Sequence, residues 1–533
     1  MYPALLFWRC RLYSSDTLIT CLSNPHTRTF SIHMIHSSII RHAQRNPHKV
    51  ALQGISHALT YSQLNDAIVQ SSLHLAKYPA QTRIAVAMHN QPAWIVLDIA
   101  ALQMGLPSVP LPAFFTDTQL LHAMQDAGVN VLITDQTVRF DQLVKTHSLG
   151  KSTLLIAGMA LAEYRLDFAQ PALEKNTAKI TYTSGTTGAP KGVCLSAKAM
   201  QDVAQAISSQ VQLTPQDCHA CVLPLSTLLE NVAGVYASLL AGATIHVYPS
   251  ETVGFVGSSF DVKKLFSTLV ICQASTVILI PELLNALIQL CESDAALSCR
   301  SAFAHLRFIA VGGAHVSAAL LQRAAAAGLP VYEGYGLSES ASVVTLNTPS
   351  AHRVGSVGKP LPHISMRLAE DNEIWIKGAN FIGYTHDAAN FSEDGWMPTG
   401  DIGSCDDDGF WYIQGRKKNM FITSFGRNVS PEWVERELTH LPAIQQACVF
   451  GEARPWNVAV ITPHPELDLT TVEESIAQVN AQLPDYAQIR HWLTSQTAFN
   501  VSNGQLTPNG RLKREAIWQQ YQDQIQALYT EKE

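Results

Sequence analysis

Short apolar runs alternate with amphipathic stretches along most of the chain. The runs are rich in β-branched residues, as is typical of buried strands, and the stretches between them place apolar residues at helical spacing. Strands that alternate with helices predict an α/β domain built on largely parallel sheets. The predicted strands include residues 83–88, 130–134, 153–156, 180–183, 220–223, 244–247, 276–280 and 307–311, and the predicted helices include residues 229–240, 281–290 and 318–327.

The pattern changes in the last third of the chain. Residues 373–376 and 409–413 are predicted to form antiparallel strands, and a polar segment at residues 415–418 follows them. The residues after this segment are enough for a small α+β domain. We therefore predict a large N-terminal domain at residues 34–414 and a small, mobile C-terminal domain at residues 415–533.

The first 33 residues fit neither domain. Residues 1–33 contain several arginines, but no clear apolar core and no small-residue cleavage site. We predict a disordered extension, or a translation start placed too early, and a targeting peptide is the alternative.

Composition and charge narrow the class of protein. The chain has 533 residues and a net charge of −7, and no basic run stands out, which argues against nucleic acid as a partner. No uninterrupted apolar stretch reaches the roughly 20 residues of a membrane span. The 10 cysteines are scattered, which suits reduced thiols and a cytoplasmic location. Cys218 and Cys221 have metal-ligand spacing, but they lie in a strand-like run and are interpreted as buried structural thiols.

A glycine-rich stretch follows the predicted strand at residues 180–183. It reads Tyr-Thr-Ser-Gly-Thr-Thr-Gly-Ala-Pro-Lys-Gly over residues 182–192. Its glycines free the backbone, its hydroxyls are donors and Lys191 adds a cation, a combination that suits a polyphosphate. The stretch is not a P-loop, because Pro190 and Gly192 stand where that motif needs Gly and Ser or Thr. An ordinary surface loop is the alternative.

Three further stretches carry candidate chemistry. Residues 332–339 read Tyr-Glu-Gly-Tyr-Gly-Leu-Ser-Glu, and their second tyrosine offers a flat face to a purine while the final glutamate offers an oxygen ligand to Mg²⁺. Residues 396–401 end in Gly-Asp, and residues 415–431 begin with Gly-Arg-Lys-Lys. Taken singly, each stretch is also compatible with a turn or a basic surface loop.

The four stretches, in this order, resemble the motifs of the adenylate-forming superfamily, which includes acyl-CoA synthetases, luciferases and peptide-synthetase adenylation domains. The resemblance covers about residue 35 to the C-terminus and implies ATP, Mg²⁺ and CoA as ligands. It implies Lys191 and Glu339 as catalytic residues, with Glu339 holding Mg²⁺, Lys418 as the hinge and Gly426 beside the pantetheine of CoA. The residues that it implies for ATP binding are Thr183, Ser184, Gly185, Thr186, Thr187, Gly188, Gly313, Ala314, Tyr335, Gly336, Ser338, Asp401 and Arg416.

Two segments depart from the family pattern. Glu230 matches the acyl pocket of long-chain acyl-CoA synthetases, but Thr227 stands where those enzymes tend to have His. Near the C-terminus, Arg511 stands where the family places a lysine that bridges the substrate carboxylate and the α-phosphate, and Lys513 follows two residues later. Because a planar guanidinium does not replace a compact ammonium, either Arg511 or Lys513 is the candidate catalytic cation, or adenylation is slow.

The resemblance implies an ATP-dependent acid–thiol ligase that activates a small-molecule carboxylic acid, with a fatty acid as the first expectation, and transfers it to CoA. Two alternatives stay open. One is an adenylating enzyme that loads an acyl carrier protein in trans. The other is a non-catalytic relative that binds nucleotide or acyl ligand, for which Arg511 is the main support.

Overall fold

A computed structural model describes most of the chain, namely residues 34–183, 190–256, 259–293, 299–314, 316, 318–378, 380–387, 389, 391–439, 441–506 and 511–530. The predictions for residues 1–33 lie outside this part. No helix within it is long and apolar enough to cross a membrane.

Strands make up the two large sheets and several smaller ones. In chain order they are β1 Val50–Gln53, β2 Ala58–Thr60, β3 Ile84–Ala87, β4 Ser108–Pro110, β5 Val131–Thr134, β6 Ser148–Ile156, β7 Met159–Leu166, β8 Thr177–Thr183, β9 Lys191–Ser196, β10 Cys218–Cys221, β11 Thr244–Val247, β12 Phe255–Val256, β13 Ser259–Phe260, β14 Thr276–Leu279, β15 Phe308–Val311, β16 Val331–Tyr335, β17 Thr345–Leu346, β18 Lys359–Pro360, β19 Ser365–Leu368, β20 Glu373–Lys377, β21 Gly383–Tyr384, β22 Met397–Cys405, β23 Trp411–Arg416, β24 Phe421–Ile422, β25 Asn428–Val429, β26 Ile444–Phe450, β27 Asn457–Pro463 and β28 Ile489–Thr494.

Helices connect these strands. They are α1 Met34–Arg45, α2 Tyr61–Leu75, α3 Pro92–Gln103, α4 Asp117–Ala127, α5 Thr137–Leu143, α6 Ala197–Gln210, α7 Ala237–Ala241, α8 Ser250–Val253, α9 Val262–Ile271, α10 Pro281–Ser293, α11 Cys299–Ala302, α12 Ala318–Ala326, α13 Pro431–Thr439, α14 Leu469–Asn480 and α15 Arg514–Leu528. A π-helix spans Leu229–Tyr236, and 3-10 turns span Ser338–Ser340, Lys417–Asn419 and Asp485–Ala487.

Two large sheets form the N-terminal part. The first has nine strands in the order β18-β17-β16-β15-β14-β10-β11-β1-β2, and the second has eight in the order β21-β9-β8-β4-β3-β5-β7-β6. The central pairs of both are parallel, such as β14 with β15 and β3 with β5, whereas edge pairs such as β8 with β9 are antiparallel. The predicted α/β class is therefore confirmed, with antiparallel strands added at the margins.

Helix α3 lies in the core that the two large sheets share. All but its first and last residues are buried, so the helix has no solvent face, and its buried residues are apolar except for Asp98. The same apolar cluster contains Ile84 of β3 and Val277 of β14, one from each sheet. This common core holds the two sheets together as one unit.

The C-terminal part has its own α+β core. Strands β26, β27 and β28 form a sheet in which β26 and β27 are antiparallel and β27 and β28 are parallel. One apolar cluster joins the sheet to α13 and α14, and another joins it to α15. The predicted small α+β domain is therefore confirmed. A four-stranded antiparallel sheet, β19-β20-β22-β23, precedes it and ends at Arg416, so the boundary predicted at residue 415 falls inside its last strand.

Most cysteines in the described part of the chain are free. Cys218 and Cys221 are unpaired in β10, and burial raises the pKa of the Cys218 thiol to about 12. Both agree with the interpretation as structural thiols. The expectation of reduced cysteines is wrong at Cys291, which is disulfide-bonded.

A buried ion pair lies beside the common core. The ammonium of Lys179, in β8, is 2.9 Å from a carboxylate oxygen of Asp98 in α3, and each side chain is only 1% exposed. Tyr236 donates a hydrogen bond to Asp98 at 2.6 Å, and Asn231 donates one at 3.0 Å. Burial lowers the pKa of Lys179, although Asp98 opposes that shift. These bonds compensate the cost of burying both charges.

We expect Asp98→Asn to lower the free energy of unfolding of the N-terminal domain by about 3–5 kcal/mol, because it leaves the Lys179 charge buried without a counter-ion. Thermal or denaturant unfolding checks this. The exposed pair of Lys198 and Asp202 is the matched control, and Asp202→Asn is expected to cost about 0.5 kcal/mol or less. Equal losses for the two variants would contradict the prediction.

Candidate active site

The glycine-rich stretch connects two antiparallel strands. Thr183, the last residue of β8, pairs with Lys191, the first of β9. Pairing within the eight-stranded sheet therefore fixes the positions of the two residues between which the turn runs. Ser184, Gly185, Thr186, Thr187 and Gly188 lie outside the described residues, and their roles stay predictions.

Asp126, at the end of α4, holds the base of this turn to the segment after β21. Its carboxylate accepts hydrogen bonds of 2.6 Å from the hydroxyls of Tyr182 and Thr385, and lies 2.9 Å from His386. A Cβ atom on Gly192 would lie 2.6 Å from Thr385, so only glycine permits this approach. The arrangement brings β21 against β9.

Tyr384, in β21, connects two of the predicted catalytic residues. The ammonium of Lys191 lies 5.6 Å from the centre of the Tyr384 ring, and the Tyr384 hydroxyl donates a 3.0 Å hydrogen bond to Glu339. The backbone of Glu339 is also bound, since Phe381 N–H donates to its carbonyl at 2.6 Å. A cation and a carboxylate thus flank one ring, and a carboxylate oxygen is the ligand that Mg²⁺ prefers.

Tyr335, Asp401 and Arg416 form a second cluster. The Tyr335 hydroxyl donates to Asp401 at 2.5 Å, and Arg416 Nε lies 3.0 Å from the other Asp401 oxygen. Asp401 and Arg416 face each other across β22 and β23, so the sheet register sets their contact. Asp401 is only 4% exposed, and this burial raises its pKa, with Arg416 and Tyr335 acting in the opposite direction. The three residues implied for adenosine binding are therefore joined through Asp401.

Close backbone packing shapes the turn after Tyr335. A Cβ atom on Gly336 would lie 1.6 Å from the Ser342 carbonyl oxygen, so no other residue fits there without moving the backbone. The 3-10 turn that begins at Ser338 follows at once and carries Glu339. The glycine and the tight turn thus place Tyr335 in one of the two clusters and Glu339 in the other, and the region between these clusters is called the cleft below.

Arg511 reaches this cleft from the C-terminal part. Its guanidinium donates a 3.4 Å hydrogen bond to the carbonyl of Gly313, which has a φ of +83° and precedes the exposed Ala314. Crowding by protein atoms and then the Arg416 charge lower the pKa of Arg511, whereas Asp401, Glu432 and Glu339 raise it. Arg511 thus lies within the electrostatic field of both clusters.

Lys513 occupies a different position. Its backbone N–H donates to the Gln505 carbonyl, and its side chain is exposed and makes no hydrogen bond or ion pair with the described residues. Of the two candidate cations, the structure brings Arg511 to the cleft.

The segment around Lys418 lies under the first turn of α13. Glu432 accepts hydrogen bonds from the Arg416 backbone N–H at 2.8 Å and from Asn419 at 2.5 Å. Burial, followed by the Arg416 charge, lowers the pKa of Lys418. Gly426 lies apart from this group, in an exposed turn with a φ of +72°. The hinge and CoA-binding roles of Lys418 and Gly426 stay predictions.

Glu230 lies in the core. Its side chain is fully buried, one oxygen is 2.7 Å from His219 Nε2, and the other accepts the Leu223 N–H at 2.8 Å. Its carboxylate therefore bonds to β10 and to the residue that follows shortly after it, and has no surface open to a ligand in this structure. Its predicted part in the acyl pocket stays a prediction.

Sequence reasoning missed Tyr384, Asp126 and Glu432. Tyr384 and Asp126 act through contacts between segments far apart in the chain, for example the hydrogen bond from Thr385 to Asp126. Short motifs carry no signal for such pairs. A weak signal for Glu432 exists, since it is the second residue of a helix that begins with Pro431, where carboxylates are favoured.

The buried Asp401 carboxyl predicts a pH-dependent stability difference. An unfolded Asp has a pKa near 3.8, and the pKa of the folded group is higher, so rising pH above this value destabilises the folded state by ionising a buried acid. Between pH 4 and 7, Asp401→Asn is expected to gain stability relative to the parent protein, as measured by thermal unfolding at each pH.

Asp406→Asn is the matched control for this measurement. Withdrawal from water raises the pKa of Asp406, but hydrogen bonds from Phe410, Tyr412 and Arg353 bring it down to about 2. Asp406 stays ionised in the folded protein above pH 4, so the stability difference between Asp406→Asn and the parent is expected to be constant above about pH 5. If the stability difference from the parent changed with pH in the same way for Asp401→Asn and Asp406→Asn, the raised pKa assigned to Asp401 would be contradicted.

Comparisons with known proteins agree with this geometry. A family model for an AMP-binding enzyme matches residues 39–384, and one for an AMP-binding enzyme C-terminal domain matches residues 418–533. The long-chain-fatty-acid–CoA ligase FadD15 of Mycobacterium bovis is 27% identical, with 92% of this chain and 96% of that protein covered. The 2-succinylbenzoate–CoA ligase of Bacillus velezensis is 28% identical, with 81% of this chain and 88% of that protein covered.

A solved structure shows the same fold. The o-succinylbenzoate CoA synthetase MenE of Bacillus subtilis, in complex with the acyl-adenylate intermediate OSB-AMP, has a TM-score of 0.71 at 22% identity, covering 90% of this chain and 97% of that one. Taken with the two family models, which account for most of both domains, this identifies the protein's family. The chain belongs to the AMP-binding enzymes of the adenylate-forming superfamily.

Proposed function

We propose that this protein is an ATP-dependent acid–thiol ligase that converts a carboxylic acid to an acyl-adenylate and then to an acyl-CoA. The observation that supports it most is the convergence on one cleft of Arg511 from the C-terminal domain with Glu339, Asp401 and Gly313 from the N-terminal domain. Two relatives whose names give CoA ligase activity support the same reaction.

In the first half-reaction, a carboxylate oxygen of the acid attacks the α-phosphorus of ATP and pyrophosphate leaves. Tyr335 holds the adenine, while Asp401 and Arg416 bind the ribose hydroxyls. Lys191 and Arg511 offset the negative charge that develops on the phosphates, and such fixed charges stabilise a transition state strongly. Glu339 would hold Mg²⁺, which supplies further charge neutralisation when bound.

In the second half-reaction, the CoA thiol sulfur attacks the acyl carbonyl carbon and loses its proton, and AMP leaves with the electrons of the broken carbon–oxygen bond. The C-terminal domain turns about Lys418, withdraws Arg511 and brings Gly426 toward the cleft. One cleft thus serves two reactions in sequence, which is a general use of domain closure.

The acid is proposed to be largely apolar. Leu229 and Ile280 lie 3.9 and 3.8 Å from the position of a Cβ atom on Gly313, so apolar side chains flank the carbonyl that Arg511 contacts. A fatty acid is the first candidate, in keeping with the FadD15 relative. An aryl acid such as succinylbenzoate is the second, in keeping with the other relative. The reaction is proposed to take place in the cytoplasm.

The experiment is a screen of carboxylic acids with ATP, Mg²⁺ and CoA, read as pyrophosphate release, AMP formation and thioester formation. Medium- and long-chain fatty acids are expected to give all three products, and omission of the acid is expected to abolish pyrophosphate release. A parallel arm replaces CoA by a phosphopantetheinylated carrier protein. Thioester only in that arm would favour carrier loading, and no acid-dependent pyrophosphate release with any acid would favour a non-catalytic binding protein.

Substitutions at the two candidate cations separate their roles. Arg511→Ala is expected to slow adenylation roughly 100-fold, because it removes a donor aimed at the developing phosphate charge. Arg511→Lys is expected to equal or exceed the parent rate, since it keeps the charge and restores the compact ammonium that the family places here. Lys513→Ala is the matched control, and its rate of acid-dependent pyrophosphate release is expected to stay within about twofold of the parent. A larger loss for Lys513→Ala than for Arg511→Ala would refute the assignment of Arg511.

A further inference from the structure

Tyr384 contacts two charged side chains that the proposed reaction uses. Its hydroxyl donates a 3.0 Å hydrogen bond to one carboxylate oxygen of Glu339, and the centre of its ring lies 5.6 Å from the ammonium of Lys191. The hydroxyl and the ring therefore have different partners. None of the four sequence motifs includes this tyrosine.

Backbone pairing fixes Tyr384 to the strand that begins at Lys191. Strand β21 is antiparallel to β9, with Tyr384 opposite Val193. The N–H of Thr385 donates to the Gly192 carbonyl at 3.0 Å. Because Lys191 is the first residue of β9, the pairing sets the position of its backbone relative to that of Tyr384.

Phe381 fixes Tyr384 to the turn that carries Glu339. Its backbone N–H donates to the Glu339 carbonyl at 2.6 Å. Its ring packs edge-on against the Tyr384 ring, with 4.8 Å between the ring centres. Close packing of this kind restricts the rotation of a side chain, so the Tyr384 hydroxyl is held toward the Glu339 carboxylate.

The hydroxyl of Tyr384 uses only one of the two Glu339 oxygens. Within the described residues, the other oxygen accepts no hydrogen bond. A carboxylate oxygen of this kind suits a divalent cation. A hydrogen bond to a carboxylate ligand orients it, and losing such a bond typically weakens metal binding by roughly 10- to 100-fold.

The ring of Tyr384 gives Lys191 a partner that leaves its charge available. The Lys191 side chain is exposed and makes no hydrogen bond or ion pair over the part of the chain that the structure describes. An aromatic face attracts a cation without neutralising it. A direct salt bridge to Glu339 would instead occupy both charges, and neither would then serve the phosphates or the metal.

We propose that Tyr384 is a positioning residue for the nucleotide and its metal. Its hydroxyl orients the Glu339 carboxylate toward Mg²⁺, and its ring keeps the Lys191 ammonium apart from Glu339 and directed at the phosphates. The inference rests on the proposed function for the roles of Glu339 and Lys191. It assigns the effect on the metal to the hydroxyl and the effect on the cation to the ring.

The test removes the hydroxyl alone. Binding of Mn²⁺, which takes the place of Mg²⁺ and is detected by electron paramagnetic resonance, is measured with ATP present and no acid. Tyr384→Phe is expected to weaken Mn²⁺ binding roughly tenfold or more, because the Glu339 carboxylate loses the bond that orients it. Its affinity for ATP at saturating Mn²⁺ is expected to stay within about twofold of the parent, because the ring remains beside Lys191.

A second variant removes the ring as well. Tyr384→Leu is expected to weaken ATP binding at saturating Mn²⁺ by about threefold to tenfold, because Lys191 loses its aromatic partner and is free to pair with Glu339. Thermal unfolding of both variants reports whether each is folded.

Two further variants make the result specific. Tyr412→Phe removes another tyrosine hydroxyl that donates to a carboxylate, that of Asp406 at 2.8 Å, and is expected to leave Mn²⁺ binding unchanged. Glu339→Gln alters the metal ligand itself and is expected to lose more Mn²⁺ affinity than Tyr384→Phe.

Because no acid is present, a protein that adenylates no acid still gives an answer. Unchanged Mn²⁺ affinity in Tyr384→Phe, with Glu339→Gln impaired, would overturn the role of Tyr384 and leave the proposed function intact. Unchanged affinity in both variants would overturn the role of Glu339 as well. Equal losses of ATP and Mn²⁺ affinity in Tyr384→Phe would also overturn the proposal, because the substitution would then disturb the packing rather than one bond.

Discussion

The Asp401 carboxylate joins the parts of the molecule on which the proposed chemistry depends. It accepts from Tyr335 at the end of β16 in the nine-stranded sheet and contacts Arg416 at the end of β23 in the four-stranded sheet. Both partners are needed because a nearly buried acid would otherwise lose its hydration without compensation. The contact thus holds β23, the last strand before the C-terminal domain, against β16, which leads into the turn with Gly336 and Glu339.

The same logic explains the polar groups deeper in the N-terminal domain. Asp98 and Lys179 are satisfied by Asn231 and Tyr236, which both belong to the π-helix. Glu230, in the same π-helix, is bound to His219. A π-helix is wider than an α-helix and changes which side chains share a face. Here it directs polar side chains inward, where each has a partner, and leaves Leu229 near Gly313 and the cleft.

Much of this arrangement could be predicted from the sequence, and the rest had physical reasons for remaining hidden. The alternation of strands and helices predicted the α/β class. The family resemblance of the short motifs predicted Tyr335, Asp401 and Arg416 as nucleotide-binding residues, although only Tyr335 and Arg416 lie at strand ends. The contacts made by Tyr384 and Asp126 depend on strand pairing between β9 and β21, which are distant in the chain. The helix at residues 229–240 was predicted, but periodicity cannot distinguish a π-helix from an α-helix, so the burial of Glu230 was not foreseen.

The contact of Glu432 with Arg416 has a mechanical consequence. The Arg416 backbone N–H is bound by the C-terminal domain, whereas its guanidinium is bound by Asp401 in the N-terminal domain. One residue is therefore tied to both parts, and α13 cannot move away from β23 without breaking the Glu432 bond. The proposed rotation of the C-terminal domain would break this bond together with the one from Ser430 to the Gln414 carbonyl, and that cost does not depend on which acid is bound.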